Sequence, residues 1–353
     1  MHAVTASTSL SNTAPSVLVA GIAGASLGTE IAKALRASGI RYRVIGCDIS
    51  ELAFGHYSEL FDETLIVPVE RYIEHLLETC TRLSVNVVVP GGDRPMALIS
   101  GAADRFTERG IAVAINSPSI VARCSDKYEC SKELEALGFR VPKTMMLHDD
   151  ADANAAPLPC VVKPNSASGG SAFVFYAATA DDVGLYARYI RENGRDAVAQ
   201  EYIGAENGEF TVGVLSSADA LVTGAIALRR AFPSKLSIAA TGPGFLISSG
   251  FTQGHIGDYP AVTSTAARIA KALGSTGPMN VQGRLDIEGQ FVPFEINPRL
   301  SASTYLRAMA GFNEVDYLVR YLLKLEPGVL SIRPGWYLRS LTETFVPDEN
   351  IKR

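Results

Sequence analysis

Asn280-Val281-Gln282-Gly283-Arg284-Leu285-Asp286-Ile287-Glu288-Gly289-Gln290-Phe291-Val292-Pro293-Phe294-Glu295-Ile296-Asn297 decides the fold, because it reads as two strands around a turn. Taking Glu288-Gly289 as a two-residue turn pairs Ile287 with Gln290; counting back, Gln282 lies opposite Glu295 and Asn280 opposite Asn297. Those polar side chains then share one face, while Val281, Leu285, Ile287, Val292, Phe294 and Ile296 are expected on the core side. A carboxylate beside amide oxygens suits a hard cation, so Glu295, Asn297 and Gln282 are candidate ligands for magnesium, with manganese as an alternative. The plainer reading is an edge hairpin with a solvated face. What favours the metal is Pro298-Arg299 directly after it, which carries a fixed cation out of the strand to where charge grows on a transferred phosphoryl group.

Working outward, 353 residues suit two or three units, each able to bury a core. The 47% apolar and 20% charged residues and the net charge of −5 give no basic field, which argues against nucleic acid as a partner. Cys47, Cys80, Cys124, Cys130 and Cys160 are scattered and never spaced as a zinc or redox pair, so they read as buried thiols in a reducing cytoplasm. The longest uncharged run, 14–29, is broken by glycines and ends at Glu30, short of the roughly 20 apolar residues of a membrane helix. Neither secretion nor membrane insertion is expected, and the location expected is cytoplasmic.

Residues 1–14, rich in Ser, Thr and Ala, read as a flexible tail. Residues 15–117 alternate strand and helix, which implies a Rossmann-like parallel α/β domain: strands at 16–20, 43–47, 64–67 and 86–89, a glycine turn from Gly21 to Gly28, and a helix at 72–83. Residues 118–199 hold a linker helix at 119–137, the strand Cys160-Val161-Val162-Lys163-Pro164, and a helix at 180–193, together a small mobile lid. Residues 200–330 turn to antiparallel strands with a helix at 261–273, and 331–353 form a C-terminal extension that packs on the core or on a partner. The fold class expected is thus α/β followed by α+β.

Lys163 ends a buried strand and precedes Asn165-Ser166-Ala167-Ser168-Gly169-Gly170-Ser171, so it is placed to meet phosphates with the backbone N–H groups of Ser168, Gly169, Gly170 and Ser171 closing over them. Arg229 and Arg230 follow a strand-like run, and arginine captures carboxylate or phosphate bidentately; one of them, taken as Arg230, is expected in the site, a solvated pair being the alternative.

Lys163-Pro164 with its Gly/Ser loop, Gln200-Glu201-Tyr202-Ile203, Glu209-Phe210-Thr211-Val212 and Glu295-Ile296-Asn297-Pro298-Arg299, in that order, resemble the ATP-grasp superfamily, in particular the branch of carbamoyl-phosphate synthase large subunits and amino-acid ligases. The likeness spans 15–325 and implies an ATP-grasp fold behind the parallel domain. It implies adenine against the backbone of Glu201, Tyr202 and Ile203, ribose at Glu209, phosphates on Lys127 and Lys163, and magnesium on Gln282, Glu295 and Asn297.

Two departures matter. The loop after Lys163 has only the adjacent Gly169-Gly170, where relatives space their glycines more widely, and Ala302 stands where carbamoyl-phosphate synthases carry arginine. The second, with a chain holding one grasp unit, argues against carbamoyl phosphate synthesis. The activity expected is an ATP-dependent carboxylate–amine ligase working through an acyl phosphate, with Arg299, Lys163 and Arg230 as catalytic residues. Its substrates would be small carboxylates and amines, amino acids first, and homodimers are common among such proteins. Carboxylation, phosphotransfer and a non-catalytic nucleotide-binding protein stay open. So does an NAD-dependent oxidoreductase, suggested by Gly21, Gly24 and Gly28 with Asp48, although the glycine spacing is not the dinucleotide fingerprint. His255 in the acceptor pocket, and Asp93 facing the cleft or capping a helix, are further candidates.

Overall fold

The computed structural model describes residues 14–24, 27–149, 151–166, 172–341, 350 and 352. The chain opens with β1 (Ser16–Ala20), α1 (Leu27–Arg36), β2 (Arg43–Asp48), β3 (Glu63–Ile66), α2 (Tyr72–Arg82), β4 (Val87–Pro90), α3 (Asp93–Ser100), α4 (Ala103–Thr107) and β5 (Ala112–Val113). The strands pair in parallel in the order β3-β2-β1-β4-β5, as continuous apolar runs in alternation with helices predict. Every residue of β1 and β4 is buried, and α1 turns Ile31, Ala34 and Leu35 onto them. Gly28 and Gly91 are required by close approach: a Cβ on either would stand about 2 Å from the Gly21 carbonyl oxygen, at 1.8 and 2.1 Å. This brings the ends of β1 and β4, where strand order reverses, to one crevice.

Next come α5 (Pro118–Ser125), α6 (Lys127–Ala136), β6 (Thr144–Leu147), β7 (Cys160–Pro164), β8 (Phe175–Ala177), α7 (Ala180–Glu192) and β9 (Ala197–Glu201). The single helix expected over 119–137 is two. Asp126 between them is extended (φ −91°, ψ 110°) and accepts the Glu129 N–H as an N-cap, which puts Lys127 on the first turn of α6. The four strands form an antiparallel sheet ordered β6-β9-β7-β8, covered by α7, which starts in a Thr179–Asp182 capping box.

The rest is β10 (Glu209–Ser216), β11 (Val222–Arg230), β12 (Ile238–Gly242), β13 (Phe245–Ser248), β14 (Gly254–Ile256), α8 (Pro260–Leu273), β15 (Pro278–Leu285), β16 (Phe291–Asn297), α9 (Thr304–Met309), α10 (Glu314–Leu322) and β17 (Gly335–Tyr337). Six strands make one antiparallel sheet, β16-β15-β10-β11-β14-β17, with β12–β13 as a separate hairpin. Val262, Ala266, Ile269 and Leu273 of α8 fill one face against Val212, Val214 and Val281. Of the C-terminal extension, β17 packs on the chain's own core by pairing with β14.

The deciding hairpin has the expected pairs, Gln282 with Glu295 and Asn280 with Asn297, but reaches them differently. Leu285 pairs with Phe291 and the Asp286 N–H meets the Gln290 carbonyl at 3.0 Å, so the turn is the three residues Ile287-Glu288-Gly289, with Gly289 left-handed at φ +75°. A β-bulge opposite Gln282 and Gly283 then restores the register. Two expectations fall with the two-residue turn. Ile287 is 91% exposed at the tip, and Phe294, the extra residue of the bulge, lines the cleft.

Candidate active site

A cleft of about 430 Å³ opens where the three sheets meet. The parallel domain contributes Leu27 and Gly91 to Asp93, the second sheet Lys163 and Gln200 to Ile203, and the large sheet the face carrying Glu209, Asn280 and Gln282. Alternation along β15 puts Asn280, Gln282 and Arg284 on that side while Val281 enters the core.

Gln282, Glu295 and Asn297 line the cleft together, and among the described residues their side chains have no protein hydrogen-bond partner. Asn280 shares the face but is spent: its amide oxygen accepts from Arg307 at 2.6 Å and Thr211 at 2.8 Å. Among the described residues no group of three His, Cys, Asp or Glu side chains gathers as a metal cage. One carboxylate with two amides fits magnesium, which completes its shell with phosphate oxygens and water.

Cations face this set. Lys163 is buried at the end of β7, its ammonium donating to the Gln200 side-chain oxygen (2.8 Å) and the Phe294 carbonyl (3.2 Å). Burial pushes its pKa down to about 8; Glu295 pulls it up and Lys127 pushes it further down. Lys127 lines the cleft from α6. Arg299 leaves β16 and is held in a two-point ion pair by Asp93, its Nη2 meeting the second carboxylate oxygen at 3.2 Å. Burial opposes ionisation of Asp93, but Arg299 and then Lys127 override it and hold the carboxyl below the usual carboxylate range. Asp93 therefore faces the cleft and does not cap α3, although it begins that helix.

At the other end, Glu201, Tyr202 and Ile203 line the wall after β9. Glu209 is enclosed: its oxygens accept from Arg230 at 3.1 Å and from Arg284 at 2.9 and 2.7 Å, and its side chain has no exposed surface. Of the arginine pair, Arg230 points inward and also donates to Ser248 and the carbonyls of Ser249 and Phe251, whereas Arg229 is exposed.

Ser168, Gly169, Gly170 and Ser171 lie outside the described residues. His255 is not in the cleft wall; its Nδ1 meets the Tyr259 hydroxyl at 2.8 Å and its ring the edge of Trp336. The Asp48 carboxylate accepts the backbone N–H of Ile22 and of Ser50, so it closes the glycine turn on itself.

Sequence reasoning missed three arginines. Arg284 was within reach, since it follows Asn280 and Gln282 at the same parity. Arg307 and Arg339 were not. Arg307, with no exposed surface, joins Glu314, Thr211 and Asn280 beneath the cleft. Arg339 of the extension donates to Glu30 of α1 (2.6 Å) and to the Ala302 carbonyl, bracing the loop after Arg299.

A family model described as an ATP-grasp domain matches residues 124–303, half of the chain. The chain belongs to the ATP-grasp family. Membership makes it an ATP-using enzyme with magnesium as the accompanying cation. Residues 21–114 match the PylC-like N-terminal domain. The carbamoyl phosphate synthase large chain of Thermomicrobium roseum is 23% identical over 295 residues, which are 80% of this chain and 26% of that protein, so the chain spans about a quarter of its length. The L-amino acid ligase from Bacillus licheniformis superposes with a TM-score of 0.68 at 17% identity, covering 92% of this chain and 78% of that one. The biotin carboxylase domain of the Hydrogenobacter thermophilus 2-oxoglutarate carboxylase, solved with MgADP and bicarbonate, gives 0.64 at 16% identity over 87% and 69%. N5-carboxyaminoimidazole ribonucleotide synthetase from Thermotoga maritima gives 0.59 at 17% over 90% and 78%. At these identities the likeness is one of fold. Among the described residues no helix is long and apolar enough to cross a membrane.

Proposed function

We propose that this ATP-grasp enzyme is a carboxylate–amine ligase. The γ-phosphoryl group passes from ATP to a substrate carboxylate, breaking the bond to ADP and forming an acyl phosphate. An amine attacks the acyl carbon, phosphate leaves, and the nitrogen sheds its proton to give an amide. The observation that carries the reading is the Gln282–Glu295–Asn297 set, without protein hydrogen-bond partners among the described residues, facing Lys163, Lys127 and Arg299 across one cleft.

Magnesium held by Glu295, Asn297 and Gln282 would neutralise phosphate charge, and manganese suits the same oxygens. Lys163 and Lys127 bind phosphate oxygens from the opposite wall. Arg299 is pre-oriented by Asp93, so its guanidinium meets the transferring group without reorganising. The residues after β9 and the hairpin β12–β13 receive the nucleoside. No protein nucleophile is needed, because positioning and charge neutralisation do the work. The substrates proposed are small carboxylates and amines, with amino acids foremost.

A screen of ADP release over pooled amino acids, other small carboxylates and bicarbonate tests this. Release that needs both a carboxylate and an amine, with an amide in the product mixture, is the expected result. Release with bicarbonate alone would move the reading to carboxylation, an outcome the likeness to the biotin carboxylase fold makes worth including. Thermal stabilisation by NAD and not by ATP–magnesium would overturn it.

A further inference from the structure

Arg284 holds together parts of the wall that are far apart in sequence. Its side chain leaves β15 on the cleft face and is almost fully buried. Nε and Nη2 hold one Glu209 oxygen at 2.9 and 2.7 Å, Nη1 donates to the Ile203 carbonyl at 2.6 Å, and Nη2 also reaches the Leu246 carbonyl at 2.6 Å. The guanidinium carbon lies 4.9 Å from the Tyr202 ring centroid and 5.8 Å from that of Phe294. One fork thus ties β10, the segment after β9, and the β12–β13 hairpin.

The hairpin needs such a tie. It stands apart from the large sheet, so it lacks ladder bonds to hold it over the cleft. Besides Arg284, it is fixed by Arg230 through Ser248, by the Tyr202 hydroxyl, which accepts the Leu246 N–H at 2.8 Å, and by Phe245 stacked on Tyr176 of β8 at 4.1 Å. Both arginines are anchored on Glu209. Lysine carries its three donors on one nitrogen and has no planar fork, so it does not reproduce contacts that Arg284 makes from three separate nitrogens.

We propose that Arg284 is a positioning residue for the nucleoside end of the cleft. It sets the separation between the residues after β9 and the β12–β13 hairpin, so that base and ribose are gripped, and it takes no part at the phosphates. The inference rests on the nucleotide reading of the cleft.

Calorimetric titration with Mg–ADP and, separately, with Mg–tripolyphosphate tests it on the whole chain. Wild type is expected to bind both. Arg284→Met should weaken Mg–ADP about tenfold or more, the loss of a buried charged hydrogen-bond set, while Mg–tripolyphosphate binding changes less than about twofold. Arg284→Lys should fall between the two. Equal losses for both ligands would mark general disruption and overturn the proposal, as would wild-type Mg–ADP affinity in Arg284→Met. If Arg284→Met does not fold, Arg284→Lys decides by the same ratio. A wild-type protein that binds no Mg–ADP would fail the nucleotide reading itself, whereas wild-type binding with an insensitive Arg284 fails this proposal alone.

Discussion

Asn280 and Asn297 face each other across β15 and β16, on one side of one hairpin, and have opposite fates. Asn280 is 1% exposed and bonded to Arg307 and Thr211; Asn297 is half-buried, with its amide open to the cleft. The same division runs through the whole wall. Glu209, Arg230, Arg284, Thr211 and Arg307 bind one another, whereas Glu295, Gln282 and Asn297 are left without protein partners among the described residues. Buried polar groups are ordinarily satisfied internally. The open row is half-buried at the cleft, so it keeps its bonds for water or a ligand where its buried neighbours have spent most of theirs on one another.

Breaking the open row should cost activity and spare stability. Glu295→Gln removes the only carboxylate of that row and leaves its shape, so ADP release should fall by about 100-fold or more with the urea midpoint essentially unmoved. Turnover near wild type would show that the metal is held elsewhere.

The asparagine pair sharpens the comparison next. Asn297→Ala should lower activity by about 10- to 100-fold at nearly unchanged stability. Asn280→Ala should instead lower stability by about 1–3 kcal/mol, because Arg307 and Thr211 lose a buried acceptor, and keep Mg–ADP binding. Urea melts beside titrations read both; equal stability losses would mean that the two asparagines do not differ in role.

Asp93 lies between the two classes, partnered yet in the cleft. Asp93→Asn keeps the shape and removes the charge that orients Arg299, so turnover should drop about tenfold with Mg–ADP affinity unchanged. A change in nucleotide affinity without loss of turnover would place Arg299 away from the chemistry.

The smallest effect is in pH. In the proposed site Lys163 meets phosphate as an ammonium, and in the fold its pKa is pushed from 10.5 to about 8. Mg–ADP affinity should therefore fall as pH rises through about 8. Stability runs the other way, because between those two pKa values the unfolded chain binds a proton that the fold has released, so this lysine's unfavourable contribution shrinks as pH rises. Lys163→Met should flatten both slopes, which titrations and urea melts across pH 7 to 10 check.

Local pattern made much of this legible. Strand–helix alternation predicted β1 to β4 of the parallel sheet but not the two-residue β5, helices were expected where α2, α7 and α8 stand, and alternation from Asn280 to Asn297 predicted a polar face. The turn was misjudged because a two-residue loop and a three-residue loop with a bulge give the same pairing further up the hairpin. The break at Asp126 was hidden because its capping role depends on an extended backbone that periodicity does not report.

The order of strands and helices, the polar face of the β15–β16 hairpin and the family motifs follow from the sequence alone, since each rests on residues near one another or on a fixed period. Which polar groups are spent and which remain open is decided only by tertiary structure. Arg284, Arg307 and Arg339 meet partners 75, 96 and 309 residues away at Glu209, Thr211 and Glu30, and no local spacing encodes those bonds.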